Sequence, residues 1–177
     1  QSQWNQESTT LHLVTAWDAD NLYTDSNGQT PVAVYSNAPE VKLYRNGTLI
    51  GTAVRQVNTT AAGHTYYTYT PESLSENCSV TQASGADSLY ATFYVTYEEG
   101  TISAVACDED GNEIAGTSGK KSVTTPGAAS RLEVTQNKTV IDADGQSLVY
   151  IEVEVQDANG NLDTAAAETV SFSLSGE

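Results

Sequence analysis

VAVYSNAPEVKLYRNGTLIG, residues 32–51, decides the fold. Pro31–Ser36 is a short apolar run, and Glu40–Tyr44 alternates cleanly. Val41 and Leu43 fall on one face, with Glu40, Lys42 and Tyr44 on the other, which is the period of a half-buried strand. Pro39 has no amide hydrogen to give to a central ladder, so Ser36–Pro39 must be a corner or an edge crossing. Asn46-Gly47 supplies two residues that tolerate positive φ, the requirement of a tight primed turn. Thr48–Val54 then returns beside Glu40–Tyr44. One strand enters, the chain switches, and a hairpin follows.

The same reading extends in both directions. Strands are expected over Thr10–Trp17, Thr65–Thr70, Leu89–Tyr97 and Thr101–Asp108, separated by Gly-, Asn- and Asp-rich turns. No stretch sustains the spacing of an amphipathic helix. The pattern is that of an antiparallel β-sandwich over residues 1–121. Ser122–Ser130, SVTTPGAAS, carries Pro, Gly and small polar residues and reads as a linker. A second pattern occupies 131–177. Arg131–Gln136 is a strand, and Leu148–Gln156 alternates Val149, Ile151, Val153 and Val155 with Tyr150, Glu152 and Glu154. Thr169–Leu174 is expected as a further strand. About 50 residues make half a sandwich, so the second domain is expected to be cut short.

Composition removes several classes of function. The chain of 177 residues has 7 Lys+Arg against 23 Asp+Glu, a formal net charge of −16. So few cations cannot track a phosphate backbone, which argues against nucleic acid as a partner. Anionic membrane surfaces are disfavoured for the same reason, and no apolar run approaches the ~20 residues that span a bilayer. Methionine is absent and no leader is visible, so the chain is expected to be a piece of a longer protein. Cys78 and Cys107 allow one disulfide or none, and a chain of this size does not depend on a staple. The low charge density, the Ser/Thr content and the acidic balance suit an extracellular or cell-surface bacterial module.

Val34-Tyr-Ser-Asn-Ala-Pro-Glu-Val-Lys-Leu-Tyr-Arg-Asn-Gly47, followed by Leu49-Ile-Gly51, resembles a domain that follows the catalytic barrel in large family 2 glycoside hydrolases of the β-galactosidase type. Trp17 resembles the aromatic residue that precedes this strand in the family. Arg131-Leu-Glu-Val134 and Ile141–Asn161 are similar to the bacterial immunoglobulin-like, invasin-type domain of the same enzymes, in the same order. The resemblance covers roughly residues 10–55 and 86–177. It implies an all-β fold of two tandem immunoglobulin-like β-sandwiches, the second truncated. The family's two catalytic glutamates lie on a (β/α)₈ barrel. No alternating βαβ pattern exists here and no acidic residue matches those motifs, so no catalytic residue is carried over.

Three groups of residues could carry binding. Tyr90 and Tyr94 share a face with Thr92 and Thr96, and exposed tyrosine rings can stack on a pyranose. Tyr67, with Tyr66 and Tyr69, could extend that surface, although cross-strand Tyr–Thr pairs also simply stabilise a solvated sheet. Trp17, beside Asp18 and Asp20, could be a sugar platform or a core residue. Asp108 and Asp110, and Asp142 and Asp144, stand in Asp-x-Asp-Gly loops that echo calcium sites, but none completes a twelve-residue calcium loop. The same sequences are ordinary turn chemistry. No cofactor is required by any of them.

The expected role is that of a non-catalytic accessory region of a secreted β-galactosidase-like hydrolase. Its partner would be the catalytic barrel, where it supports the barrel, the substrate entrance or an oligomer contact. The alternatives are a carbohydrate-binding module for galactoside glycans and an immunoglobulin-like adhesin stalk. Against the stalk, the two halves do not resemble each other as repeats would.

Overall fold

The computed structural model describes residues 5, 7–79, 89–173 and 175, and the chain forms two compact units, Gln1–Thr125 and Pro126–Glu177. The first unit is a sandwich of two antiparallel sheets. Its strands are β1 (Leu11–Val14), β2 (Gln29–Ser36), β3 (Glu40–Arg45), β4 (Thr48–Thr59), β5 (Thr65–Leu74), β6 (Cys78–Ser79), β7 (Ala91–Thr96), β8 (Thr101–Cys107) and β9 (Ser122–Thr124). One sheet runs β1-β2-β7-β6 and the other β5-β4-β3-β8-β9. Ser122–Thr124, expected within a linker, is a strand because Ser122, Val123 and Thr124 find ladder partners in Ser103, Ile102 and Thr101. The only helical element among the described residues is a single 3₁₀ turn, Ala19–Asn21.

The corner at Ser36–Pro39 carries the chain from one sheet to the other, held by a set of hydrogen bonds. Ser36 Oγ donates to Thr10 O at 2.7 Å and accepts from Ala38 N at 3.1 Å. Asn37 Oδ1 accepts from Thr10 N at 2.9 Å, and its amide nitrogen donates to Asn5 O and Ser8 O. Tyr69 donates its hydroxyl to Ala38 O at 2.7 Å, and Arg55 reaches Asn37 O and Pro39 O through its side chain and backbone. A buried bend without such partners would leave amides and carbonyls desolvated and unpaired. The Asn46-Gly47 turn follows, with φ of 50° and 77°. Asn46 also ties this turn to the start of β8, the neighbouring strand of the same sheet, its Oδ1 accepting from Thr101 N at 2.8 Å. A register shift beyond Leu43 lets Ile50 and Gly51 both face inward.

The core between the sheets is apolar. Leu11, Val32, Val34, Val41, Leu43, Phe93, Val95 and Ile102 are fully buried. Each such side chain contributes about 1.5–3 kcal/mol through removal of apolar area from water. Gly51 is small for a reason: a Cβ there would lie 3.0 Å from the Phe93 ring and 3.3 Å from Cys78 Sγ. Cys78 and Cys107 are both free thiols, buried on strands of different sheets.

Among its described residues the second unit contains one hairpin, β10 (Arg131–Gln136) paired antiparallel with β11 (Ile151–Gln156). β11 starts at Ile151 rather than at Leu148, and residues 169–173 form no strand; Leu174 lies outside the described residues. Alternation alone does not make a strand, because the backbone groups of 169–173 have no neighbouring ladder among the described residues.

Candidate functional site

Three strands of the four-stranded sheet line up an aromatic outer face. In β2, Val32 and Val34 are buried while Ala33 and Tyr35 point outward; in β7, Ala91, Phe93 and Val95 are buried while Thr92 and Tyr94 point outward. Tyr35 follows the Val34–Ala91 pair and stacks on Tyr90, with ring centroids 4.6 Å apart and planes 27° apart. His12 pairs with Tyr35 from the other side. The next row along the strands is Val14, Ala33 and Thr92, and the row after it contains Pro31 opposite Tyr94 and Tyr94 opposite Ser79. On β2 and β7 large, small and large side chains therefore alternate along the sheet, and Val14 of β1 closes the small row at one end. The result is a shallow trough across the strands, walled by Tyr35 and Tyr90 on one side and by Pro31 and Tyr94 on the other. Successive same-face rows are two residues apart, so the walls stand about 13 Å apart. Tyr35 is 41% and Val14 47% exposed. No Asp, Glu, Lys or Arg lies on β1, β2, β6 or β7; the one titratable imidazole on them is that of His12.

The residues singled out in the sequence do not form one site. Tyr90 and Tyr94 belong to this trough. Tyr67 lies on β5, in the five-stranded sheet, where the Arg55 guanidinium sits 4.4 Å from its ring centroid. The two sheets face each other across the core, so Tyr67 does not extend the trough. Tyr69 is buried, and burial pushes its phenol up to about 12. Trp17 is a correction: at 1% exposure it is a core side chain tilted against Tyr97 at 5.1 Å, and neither ring face is open to a sugar. Tyr35 was missed. Pro31–Ser36 is apolar almost throughout, so the sequence does not say which of its faces points out, and only the β2–β7 register shows that Tyr35 meets Tyr90.

The acidic loops use their carboxylates internally. Asp108 Oδ1 accepts from Asn112 N at 2.8 Å and Asp110 N at 3.0 Å. The Asn112 amide is the leading cause that holds this carboxyl below its ordinary range. Asp157 does the same with Asn159 N and Asn161 N, both at 2.8 Å, and its other oxygen takes Gly127 N at 2.9 Å. Those bonds, Gly127 first, hold Asp157 far below the usual carboxylate range. Asp25 repeats the geometry with Asn27 N and Gln29 N. Asp144 accepts from Gln146 N and Ser147 N, and these amides lower it too. Asp110 and Asp142 are exposed. No group of three or more His, Cys, Asp or Glu side chains able to hold a metal ion occurs among the described residues. In the loops opened by Asp25, Asp108 and Asp157, Asp-x-Asn/Asp-Gly is a turn device, with the first Asp accepting two amides and Gly taking positive φ; in Asp142-Ala-Asp-Gly145 Asp144 accepts instead.

Comparison with known proteins places both units. Residues 27–115 match the family described as Domain of unknown function (DUF4982), and residues 132–177 match Glycoside hydrolase family 2 C-terminal domain 5. The chain is 26% identical over 176 residues to Beta-galactosidase BoGH2A of Bacteroides ovatus, covering 99% of this chain and 16% of that protein. Among solved structures, a glycosyl hydrolase family 2 member from Bacteroides cellulosilyticus is similar with a TM-score of 0.53 and 22% identity, over 91% of this chain and 19% of that one. A β-glucuronidase from glycoside hydrolase family 2 is similar with a TM-score of 0.54 and 23% identity, over 93% of this chain and 13% of that one. The chain thus spans less than a fifth of the length of each of these proteins.

Proposed function

We propose that this chain, which belongs to the DUF4982 family and continues into a family 2 glycoside hydrolase C-terminal domain, is a non-catalytic accessory region of a larger glycoside hydrolase. The observation that carries the reading is the match along 99% of this chain to a part amounting to 16% of a much longer hydrolase. The catalytic groups would then lie in the remainder, and these two units would support it. The partner is the catalytic barrel, and the assembly works outside the bacterial cell. A galactoside-cleaving parent is the finer reading, supported by the named activity of the Bacteroides ovatus relative.

The experiment compares the parent hydrolase with a version lacking this chain, on a small aryl galactoside. An accessory role predicts that kcat per folded molecule stays within a few-fold while thermal stability falls. A loss of a thousand-fold or more with the barrel still folded, the scale of a removed catalytic group, would overturn it.

A further inference from the structure

We infer that the trough on the outer face of the four-stranded sheet binds a neutral pyranoside, with Tyr35, Tyr90 and Tyr94 as its contact residues. The inference rests on the accessory reading above for the class of ligand, a sugar, and on the geometry for the place. Tyr35 and Tyr90 are stacked before any ligand arrives, at 4.6 Å, so their rotamers are already restrained and little further ordering is required. Tyr94 stands two same-face rows away, and Ala33 and Thr92 leave the space between them low. A pyranose laid across the small row meets aromatic rings on both sides and tyrosine and threonine hydroxyls for its own hydroxyls, the combination by which amphipathic rings hold sugars.

Charge selects among sugars. The molecule carries a formal charge of −16, yet the strands under the trough carry none. A neutral galactoside or glucoside meets no opposing charge there. A uronate finds no lysine or arginine on these strands, only the imidazole of His12 beside Tyr35, and approaches a strongly negative molecule, so it is disfavoured. The trough therefore separates two substrate classes that the similar hydrolases represent by name, galactosides and glucuronides.

The test is an NMR titration of the full chain with lactose and, separately, with methyl β-glucuronide. Lactose is expected to shift Tyr35, Thr92 and Tyr94 with a Kd of about 1 mM, and the uronide to bind several-fold more weakly. Tyr94→Ala should weaken lactose roughly tenfold, the equivalent of ~1.4 kcal/mol. Tyr35→Phe, which keeps the stacked ring and loses only one hydroxyl, should weaken it by less than Tyr94→Ala does. The absence of lactose shifts on this face with Phe93 core signals unchanged, lactose binding that survives Tyr94→Ala, or equal binding of the uronide would each overturn the proposal. None of those outcomes touches the accessory reading, which fails only if removing the chain abolishes chemistry in the parent hydrolase.

Discussion

The two units of this chain share a sequence pattern and differ in what they bury. In the first, alternating strands put Leu11, Val34, Val41, Phe93 and Ile102 at 0% exposure. In the second, β10 and β11 alternate just as cleanly, yet Leu132 is 49%, Val134 60% and Ile151 52% exposed. The only buried side chains among the second unit's described residues are polar, Gln156 and Asp157. Arg131 binds Gln156 Oε1 at 2.7 Å through its guanidinium, and Asp157 gathers four donors. The difference teaches that alternation defines a face, while burial requires a second sheet opposite it. Among the described residues no second sheet lies opposite β10–β11, and a two-stranded hairpin alone is marginally stable, so local hydrogen bonding carries a greater share of the order in the second unit.

The largest effect should come from breaking the apolar side of that contrast. Phe93→Ala is expected to destabilise the first unit by about 3–5 kcal/mol, since it removes a fully buried ring and leaves a cavity. A denaturant titration that follows both units should show the first transition move and the second stay. Gly51→Ala should cost about 1–3 kcal/mol, because the added methyl meets the Phe93 ring and Cys78 Sγ at close range. Combining it with Phe93→Leu should recover part of the loss, and full additivity would mean that the two sites do not share the crowding. Asn46→Ala should cost about 1–2 kcal/mol, since alanine at φ 50° is strained and the bond to Thr101 N is lost.

Acid tests the polar side. Asp157, Asp144 and Asp108 all have folded pKa values below their unfolded ones. Their contribution is therefore complete above the unfolded value of about 3.9 and is lost as pH falls through the folded values. Unfolding curves should be flat with respect to these groups above about pH 5 and weaken below about pH 4. Asp157→Asn should remove much of that acid sensitivity from the second unit and leave the first unit's unchanged. The smallest effect belongs to Val134→Thr, expected within about 0.5 kcal/mol because the side chain is exposed. A cost of 2 kcal/mol or more would show that this face is covered in solution and would break the comparison.

Several elements could be read directly from residues. Pro39 and Asn46-Gly47 located the sheet crossing and the hairpin, because each restricts the backbone whatever surrounds it. Period two alone puts Ala91, Phe93 and Val95 on the face opposite Thr92 and Tyr94. The candidate site was only half legible. Tyr94 lies on β7 and Tyr90 just before it, four residues away, so their common face is a local property; Tyr35 joins them only through register between β2 and β7. Trp17 was ambiguous because an aromatic ring suits a core and a platform equally, and nothing local tells which surface closes over it.

The sequence by itself therefore determined the all-β class, the corner, the turns and the faces of the strands, all consequences of dihedral preference and side-chain alternation. Tertiary structure decided which faces are buried, which tyrosines stand together, and that the Asp-rich loops spend their carboxylates on their own amides. Those outcomes depend on pairing between residues far apart in the chain, such as Tyr35 with Tyr90, and on the presence or absence of an opposing sheet. No window of local sequence contains that information.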